Sequence, residues 1–388
     1  MINVAYVIDI ISSPYAGTER QLLQTVGRID RGRVQPHIVC LRDSDWWRST
    51  RLDVPTATTL FRSMKGLDYF RGRREFRTFC RTHRIDIVQT FFHDANVVGT
   101  LWARSAGVPV TIASRRNLGS GYWHNRRQIA MLRWLRGKTD HYIANSVASA
   151  EEALEVEKLE RPRVSVIPNG IDPDDYRRPE DTVIAETRRR WGFQENHIVI
   201  GSVANLRPIK NLPFFIRCAA AITEQYPRAR FVVIGEGDQR EELQRMIGEL
   251  HLEDRFSLPG RSETVGTDLY GFDIAVLCSR GESLSNSLME YLATGRPPVA
   301  SDVGGNSELI DSPELGYIYQ PGDEQDFLTG VEKYIANRQL REDTGRAGRE
   351  AIRQRYRWEV ALERLTALYE RLVLQKKQAG LESGSVRN

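Results

Sequence analysis

Short apolar runs alternate with longer stretches of helical periodicity along the whole chain. In the first half, Val4–Ile10, His37–Leu41, Ile85–Thr90, Val110–Ala113, His141–Ala144 and Val164–Ile167 read as strands, rich in apolar and β-branched residues. Helical stretches such as Glu19–Arg28, Arg71–His83 and Ala95–Ala106 lie between them. The second half repeats the pattern, with Ile198–Val203, Phe231–Ile234, Phe256–Leu258, Ile274–Cys278 and Pro298–Ser301 as strands. Continuous apolar strands joined by helical crossovers belong to parallel sheets covered on both faces, so the pattern predicts an α/β chain.

With 388 residues the chain is long for one such sheet and comfortable for two domains. The turn-rich cluster Pro168-Asn169-Gly170-Ile171-Asp172-Pro173-Asp174 follows a strand, and the next strand waits until Ile198. This predicts domains at 1–172 and 173–357. The helical stretch from Trp358 to Lys376 is expected to pack back on the first domain, and 377–388 to be a flexible polar tail.

Composition narrows the class. Hydrophobic content of 40% with 27% charged residues suits a soluble globular protein. Nothing approaches the length of apolar run that spans a bilayer, and Met1–Asp9 reads as a buried strand rather than a leader peptide. The four cysteines, Cys40, Cys80, Cys218 and Cys278, are scattered and read as core thiols of a reducing compartment, which points to the cytoplasm. Charge is uneven: residues 1–170 carry 26 Lys and Arg against 16 Asp and Glu, whereas 171–388 carry 29 against 35. A basic first half is expected to meet something anionic.

Four strand-to-helix junctions offer chemistry where parallel sheets bind ligands, outside the carboxyl ends of strands. In Ser12-Ser13-Pro14-Tyr15-Ala16-Gly17-Thr18-Glu19, Gly17 would let backbone approach a phosphate and Thr18 would cap a helix. In Ala204-Asn205-Leu206-Arg207-Pro208-Ile209-Lys210, two cations three apart suit a diphosphate; a solvated basic turn is the plainer reading. Gly235-Glu236-Gly237 has Arg240 where a dinucleotide fingerprint needs a third glycine, so it reads as a nucleobase-side loop or a structural turn. Glu282 precedes the small polar run Ser283-Leu284-Ser285-Asn286-Ser287, and Glu290 follows eight positions after Glu282. Two turns of one helix would bring these carboxylates near one face, able to grip sugar and ribose hydroxyls while the run offers N–H groups to phosphate.

In order and spacing these segments resemble retaining glycosyltransferase family 4, whose members have the GT-B fold: two facing Rossmann-like domains with a donor cleft between them. The resemblance covers nearly the whole chain. It is strongest from Val164 to Leu309, through Val166-Ile167-Pro168-Asn169-Gly170-Ile171-Asp172, Gly235-Glu236-Gly237, the Glu282 and Glu290 pair, and Ala293-Thr294-Gly295-Arg296-Pro297. It implies that Glu290 holds the donor ribose, that Glu282 contacts the donor sugar, and that backbone at Leu284, Ser285, Asn286 and Ser287, with Ser283 beside it, meets the phosphates. Lys210 would neutralise the leaving diphosphate, and Gly17 would lie under the donor. Asn205 and Gly235 would complete its binding loops.

Two departures from the family pattern matter. Where members often carry Gly-Arg-Leu before the lysine, this chain has Ala204-Asn205-Leu206, and Arg207 is assigned the arginine's part. Where many members place an active-site histidine, this chain has Ser114-Arg115-Arg116-Asn117. His93, in the neighbouring Thr90-Phe91-Phe92-His93-Asp94, is the alternative, while Arg115 or Arg116 would bind an anionic acceptor.

The resemblance implies transfer from a nucleotide-diphosphate sugar, UDP-linked by preference with GDP-mannose as alternative, to a glycan or polyprenyl-diphosphate-linked acceptor. No metal cofactor is expected, although Asp43-Ser44-Asp45 has a superficial metal-binding look. The aromatic and cationic segment from Gly121 to Lys138, with the basic run Arg71–Arg84, could rest on anionic lipid; a plain surface helix is the alternative. Nucleic acid is not expected, because no recognition motif accompanies the charge. A nucleotide-sugar epimerase and a non-catalytic nucleotide-sugar-binding protein are the rival readings.

Overall fold

The computed structural model describes residues 1–118 and 125–385. The chain divides into two compact units, Met1–Gly170 with Trp358–Asn388, and Ile171–Arg357. The first unit contains β1 (Ile2–Ile8), β2 (Val34–Cys40), β3 (Thr56–Thr58), β4 (Ile87–Phe91), β5 (Val110–Arg115), β6 (His141–Ala144) and β7 (Val164–Val166). They form one parallel sheet in the order β3-β2-β1-β4-β5-β6-β7. Val4 to Ile8 are fully buried because helices cover both faces, which is why that strand lacks alternation.

The second unit contains β8 (Ile198–Val203), β9 (Ala229–Ile234), β10 (Phe256–Gly260), β11 (Ile274–Leu277), β12 (Pro298–Ser301) and β13 (Tyr317–Tyr319). Its order, β10-β9-β8-β11-β12-β13, is again parallel throughout. Both orders are those of a Rossmann-like sheet, in which the winding reverses between the first strand and the fourth. The reversal falls between β1 and β4 in one unit and between β8 and β11 in the other.

The long terminal helix, Trp358–Ser385, belongs to the first unit. Leu365, Leu368, Tyr369 and Leu372 enter the core beside Val4, Tyr6 and Ile8. The Tyr369 hydroxyl donates to Gln89 Oε1 on β4. Gly170, the last residue before the second unit, lies so close to Trp358 that a Cβ there would sit 2.4 Å from the indole ring. The Gln21 amide holds that glycine by both backbone groups, at 3.0 and 3.2 Å. The unit boundary therefore falls two residues before the expected one. The helix continues to Ser385, past Lys376 where the sequence suggested it ends.

Candidate functional site

In the second unit, the loops that leave β8 and β11 stand side by side at the reversal point. The Arg280 N–H donates to the Ile209 carbonyl at 2.8 Å, tying one loop to the other. The Lys210 ammonium donates to Glu282 Oε1 at 2.5 Å, and the Ser279 hydroxyl donates to the same oxygen at 2.6 Å. Both charged side chains are mostly shielded, at 21% and 12% exposure. Asn205 and Arg207 are exposed on the same loop, and Arg207 has no ion-pair partner among the described residues.

The helix Asn286–Ala293 starts beside this pair, with Ser285 as its N-cap accepting from the Leu288 N–H at 3.3 Å. The positive end of the helix dipole is thereby fixed at the carboxyl end of β11. Ser287 donates to the Val203 carbonyl at 2.9 Å, and the Val203 N–H donates to the buried Tyr291 hydroxyl at 2.7 Å, so the helix is locked to β8. Glu290 is 3% exposed and accepts from the Tyr176 hydroxyl at 3.2 Å. The helix begins four residues after Glu282, however. Glu282 and Glu290 thus do not share a helical face as the eight-residue spacing suggested; one stands in the loop and the other in the helix.

Gly235 has a packing reason of its own. A Cβ at that position would lie 1.9 Å from the Ala204 carbonyl oxygen, so only glycine lets the β9 loop press against the β8 loop. Gly237 makes a similar approach to Leu206, and Leu206 donates to the Glu236 carbonyl at 2.9 Å. The Arg240 guanidinium is paired with Glu236, which closes the turn.

The reversal point of the first unit gathers Asp9, at the end of β1, with Phe92, His93 and Asp94, at the end of β4. Asp9 accepts from the Ala95 N–H at 2.6 Å and from Asp94 N–H at 3.4 Å, at the head of the π-helical turn Ala95–Gly99. Phe92 has φ of +70°, a left-handed conformation that costs a bulky residue energy and re-aims the chain just before His93. Burial holds the His93 imidazole below its ordinary pKa of 6.5, so the ring is neutral at pH 7. The helix Gly17–Arg28 starts with exposed Gly17 and has Ala16 as N-cap, so Thr18 lies inside the helix and does not cap it. Glu19 instead draws the preceding loop back, accepting from Ser12 N–H at 2.9 Å and from its hydroxyl at 3.2 Å.

The two candidate acceptor arginines part company. Arg115 is 7% exposed and gives both Nε and Nη2 to Glu157, at 2.6 and 2.7 Å. Burial pulls its pKa down, but the Glu157 carboxylate outweighs that and leaves it raised. Its guanidinium is thus engaged by Glu157 inside the fold, although the sequence offered it as a cation for an anionic acceptor. Arg116 is different: one Nη donates to Asn169, while the buried Nε has no partner. Burial lowers its pKa to about 10, which still leaves a full positive charge at neutral pH.

Asp43 and Asp45 are both taken by Arg48, and Ser44 between them caps the helix Asp45–Ser49. Among the described residues no cluster of metal-ligating side chains occurs. None of their helices is long and apolar enough to cross a membrane. Of the aromatic and cationic segment, Gly121–His124 lie outside the described residues; its helix, Arg126–Leu135, is closed by a capping box of Asn125 and Gln128.

Asp9 gives a first testable consequence. Burial, reinforced by Asp94 and opposed by the Ala95 N–H and Arg42, pushes its carboxyl up from 3.8 to about 7. A raised folded-state pKa stabilises the fold fully below pH 3.8, and that contribution is lost as pH rises through 7. The difference is on the order of 4 kcal/mol. Asp9→Asn should therefore gain stability relative to wild type between pH 5 and pH 8 in thermal unfolding. An offset equal at both pH values would show that Asp9 is ionised throughout.

Residues 15–175 match the family model described as Glycosyltransferase Family 4, and residues 183–351 match the one described as Glycosyl transferases group 1. The chain belongs to glycosyltransferase family 4. Among curated relatives, N-acetyl-alpha-D-glucosaminyl L-malate synthase of Bacillus anthracis is 24% identical over 55% of this chain and 56% of its own length. An Escherichia coli galactosyltransferase named for the acceptor alpha-D-GlcNAc-diphosphoundecaprenol is 25% identical over 65% of this chain and 66% of its own. The chain thus spans less than two thirds of either relative. Among solved structures, Anabaena HepE in complex with UDP is similar with TM-score 0.83 at 19% identity, over 95% of this chain and all of that one. A glycosyltransferase from Rickettsia africae reaches 0.84 at 14% identity, over 96% and 98%. The shared architecture is GT-B, with two Rossmann-like parallel sheets.

Proposed function

We propose that the protein is a retaining glycosyltransferase that moves a sugar from a UDP-linked donor to an anionic, lipid-carried or glycan acceptor, without a metal. The observation that carries this reading is the Lys210–Glu282 pair, held at the reversal point of the second sheet beside the start of helix Asn286–Ala293. A diphosphate there would meet Lys210, exposed Arg207 and the positive helix end, all placed before charge develops on the leaving group. Glu290 would take the ribose hydroxyls, backbone from Ser283 to Ser287 the phosphates, and Asn205 and Gly235 the walls of the donor loops. Glu282, released from Lys210 by the diphosphate, would turn to the sugar. UDP accompanies the structurally similar HepE, which favours uridine over guanosine.

In the reaction the anomeric C–O bond to the diphosphate breaks and the acceptor oxygen bonds to the same carbon. The acceptor proton passes to the departing diphosphate oxygen. Positioning carries much of the rate. Neutral His93, at the reversal point of the first sheet with Gly17 on the adjoining loop, is suited to orient the acceptor hydroxyl. Arg116, with its buried Nε unpartnered, is suited to an acceptor anion. The names of relatives include L-malate, inositol 3-phosphate and a diphosphoundecaprenol, all of them anions, in line with that cation. A peripheral position on an anionic membrane would bring the enzyme to a lipid-carried acceptor.

The test is release of nucleotide diphosphate from a panel of UDP-, GDP- and ADP-sugars, with and without EDTA. Release from a UDP-sugar that EDTA leaves unchanged is the expected result. Interconversion of the nucleotide sugar without release would make the protein an epimerase, and failure to bind any of the donors would sink the donor site altogether.

A further inference from the structure

The outer stripe of the helix Leu67–Thr82 carries a combination that neither the core nor the sugar chemistry requires. At about 100° per residue, Gly72, Phe76 and Cys80 fall on one side of this helix, and they are the residues it buries. Leu67, Phe70, Arg71, Arg74, Arg77 and Arg81 fall on the opposite side, and all six are exposed. Leu67 is 87% and Phe70 62% exposed, far more than a solvated helix needs of two large apolar side chains. The preceding loop adds Leu60 and Met64, also exposed, beside Arg62 and Lys65. Residues 60–84 hold eight Lys and Arg against two acids. Arg71 is paired with Glu75, but Arg74, Arg77 and Arg81 have no ion pair among the described residues. A groove of about 710 Å³ opens alongside, lined by Arg71, Arg74, Glu75, Thr78 and Phe79 among others.

We infer that this stripe and its loop form the surface by which the protein docks on an anionic lipid bilayer. Cations in a row attract an anionic headgroup layer, and apolar side chains at one end can enter the acyl boundary. The exposed Arg74, Arg77 and Arg81, without an ion pair among the described residues, are the cations left for a phosphate headgroup, since Glu75 holds Arg71. Nucleic acid would match the cations but leave Leu67, Phe70, Leu60 and Met64 exposed to water at the contact. The inference rests on the reading that the acceptor is lipid-carried, and it places that contact on residues 60–81 rather than on the helix Arg126–Leu135, where Trp134 is the exposed aromatic.

The test is flotation of the full-length protein with vesicles of phosphatidylcholine alone or mixed with phosphatidylglycerol. Binding only to the anionic vesicles, reversed by raising salt to about 0.5 M, is expected. Leu67→Glu with Phe70→Glu, and separately Arg74→Gln with Arg77→Gln and Arg81→Gln, should each lower binding at least about tenfold. All five positions are exposed, so both variants should melt as wild type does, and nucleotide release from a soluble assay should be unchanged. Unimpaired binding in both variants, loss of binding on Trp134→Glu alone, or equal binding to a short DNA duplex would overturn the inference. Donor cleavage without vesicle binding would leave the catalytic reading standing and remove this one; vesicle binding without cleavage would do the reverse.

Discussion

Lys210→Ala protein is expected to release nucleotide diphosphate from its donor about 10²- to 10³-fold more slowly than wild type, with its melting temperature little changed. The side chain stands on the loop after β8, where under the proposed function a leaving diphosphate would gain negative charge, and it is 21% exposed. A cation so placed interacts more strongly with the charge that develops than with the ground-state donor. The loss should therefore fall mainly on kcat, with KM altered less. Glu282 keeps Ser279 as a donor when the lysine is gone, so its carboxylate is not left without a hydrogen bond. Lys210→Arg should recover part of the rate, limited by the bulk of the guanidinium beside the 2.5 Å contact to Glu282. A Lys210→Ala enzyme with wild-type kcat would mean that the diphosphate is neutralised elsewhere, Arg207 being the next cation on that loop.

Much of this site is legible in the amino-acid sequence. Apolar runs without alternation announce buried parallel strands, and they mark eleven of the thirteen strands among the described residues. β3 and β13, three residues each at the sheet edges, escape the reading; β7 is as short and also at an edge, but it lies in the longer β-rich run Val164–Ile167. The junctions after β8 and after β11 both stand out by residue type, but their meeting is a matter of sheet order. No local pattern shows that Lys210 lies against Glu282, since β9 and β10 intervene in sequence and lie on the far side of β8. The two-turn spacing from Glu282 to Glu290 misleads because Ser283-Leu284-Ser285 is held out of the helix. The Ser283 carbonyl accepts from Gly305 N–H at 2.7 Å, and Ser285 is already spent as the N-cap. In the first unit the signal is weaker still. Asp9 is an acid after an apolar strand, and only the chain bend at Phe92 places the Ala95 N–H against its carboxylate.

Arg115 and Glu157 set the second large effect, and it concerns folding rather than acceptor binding. Glu157→Ala should destabilise the first unit by about 3–5 kcal/mol, because it strands a guanidinium that is almost wholly shielded. The sequence shows only two adjacent arginines after a strand, and by residue type both are equal candidates for an acceptor anion. A carboxylate separates them: Arg115 is paired with Glu157, whereas Arg116 has no ion pair among the described residues. Arg115 completes the end of β5 against the helix Val147–Glu157, with the Tyr142 ring 5.0 Å from its guanidinium carbon, so the pair joins strand to helix. Replacing both partners with apolar residues, Arg115→Met with Glu157→Leu, should restore much of the lost stability, since neither charge is then left without its counterpart. Arg116→Gln should act in the opposite way, leaving thermal unfolding close to wild type while raising KM for an anionic acceptor. Urea or thermal unfolding of the single and double variants decides the matter. Should the Glu157→Ala protein unfold like wild type, Arg115 would have to find another anion in the folded chain, and its place as a structural cation would be lost.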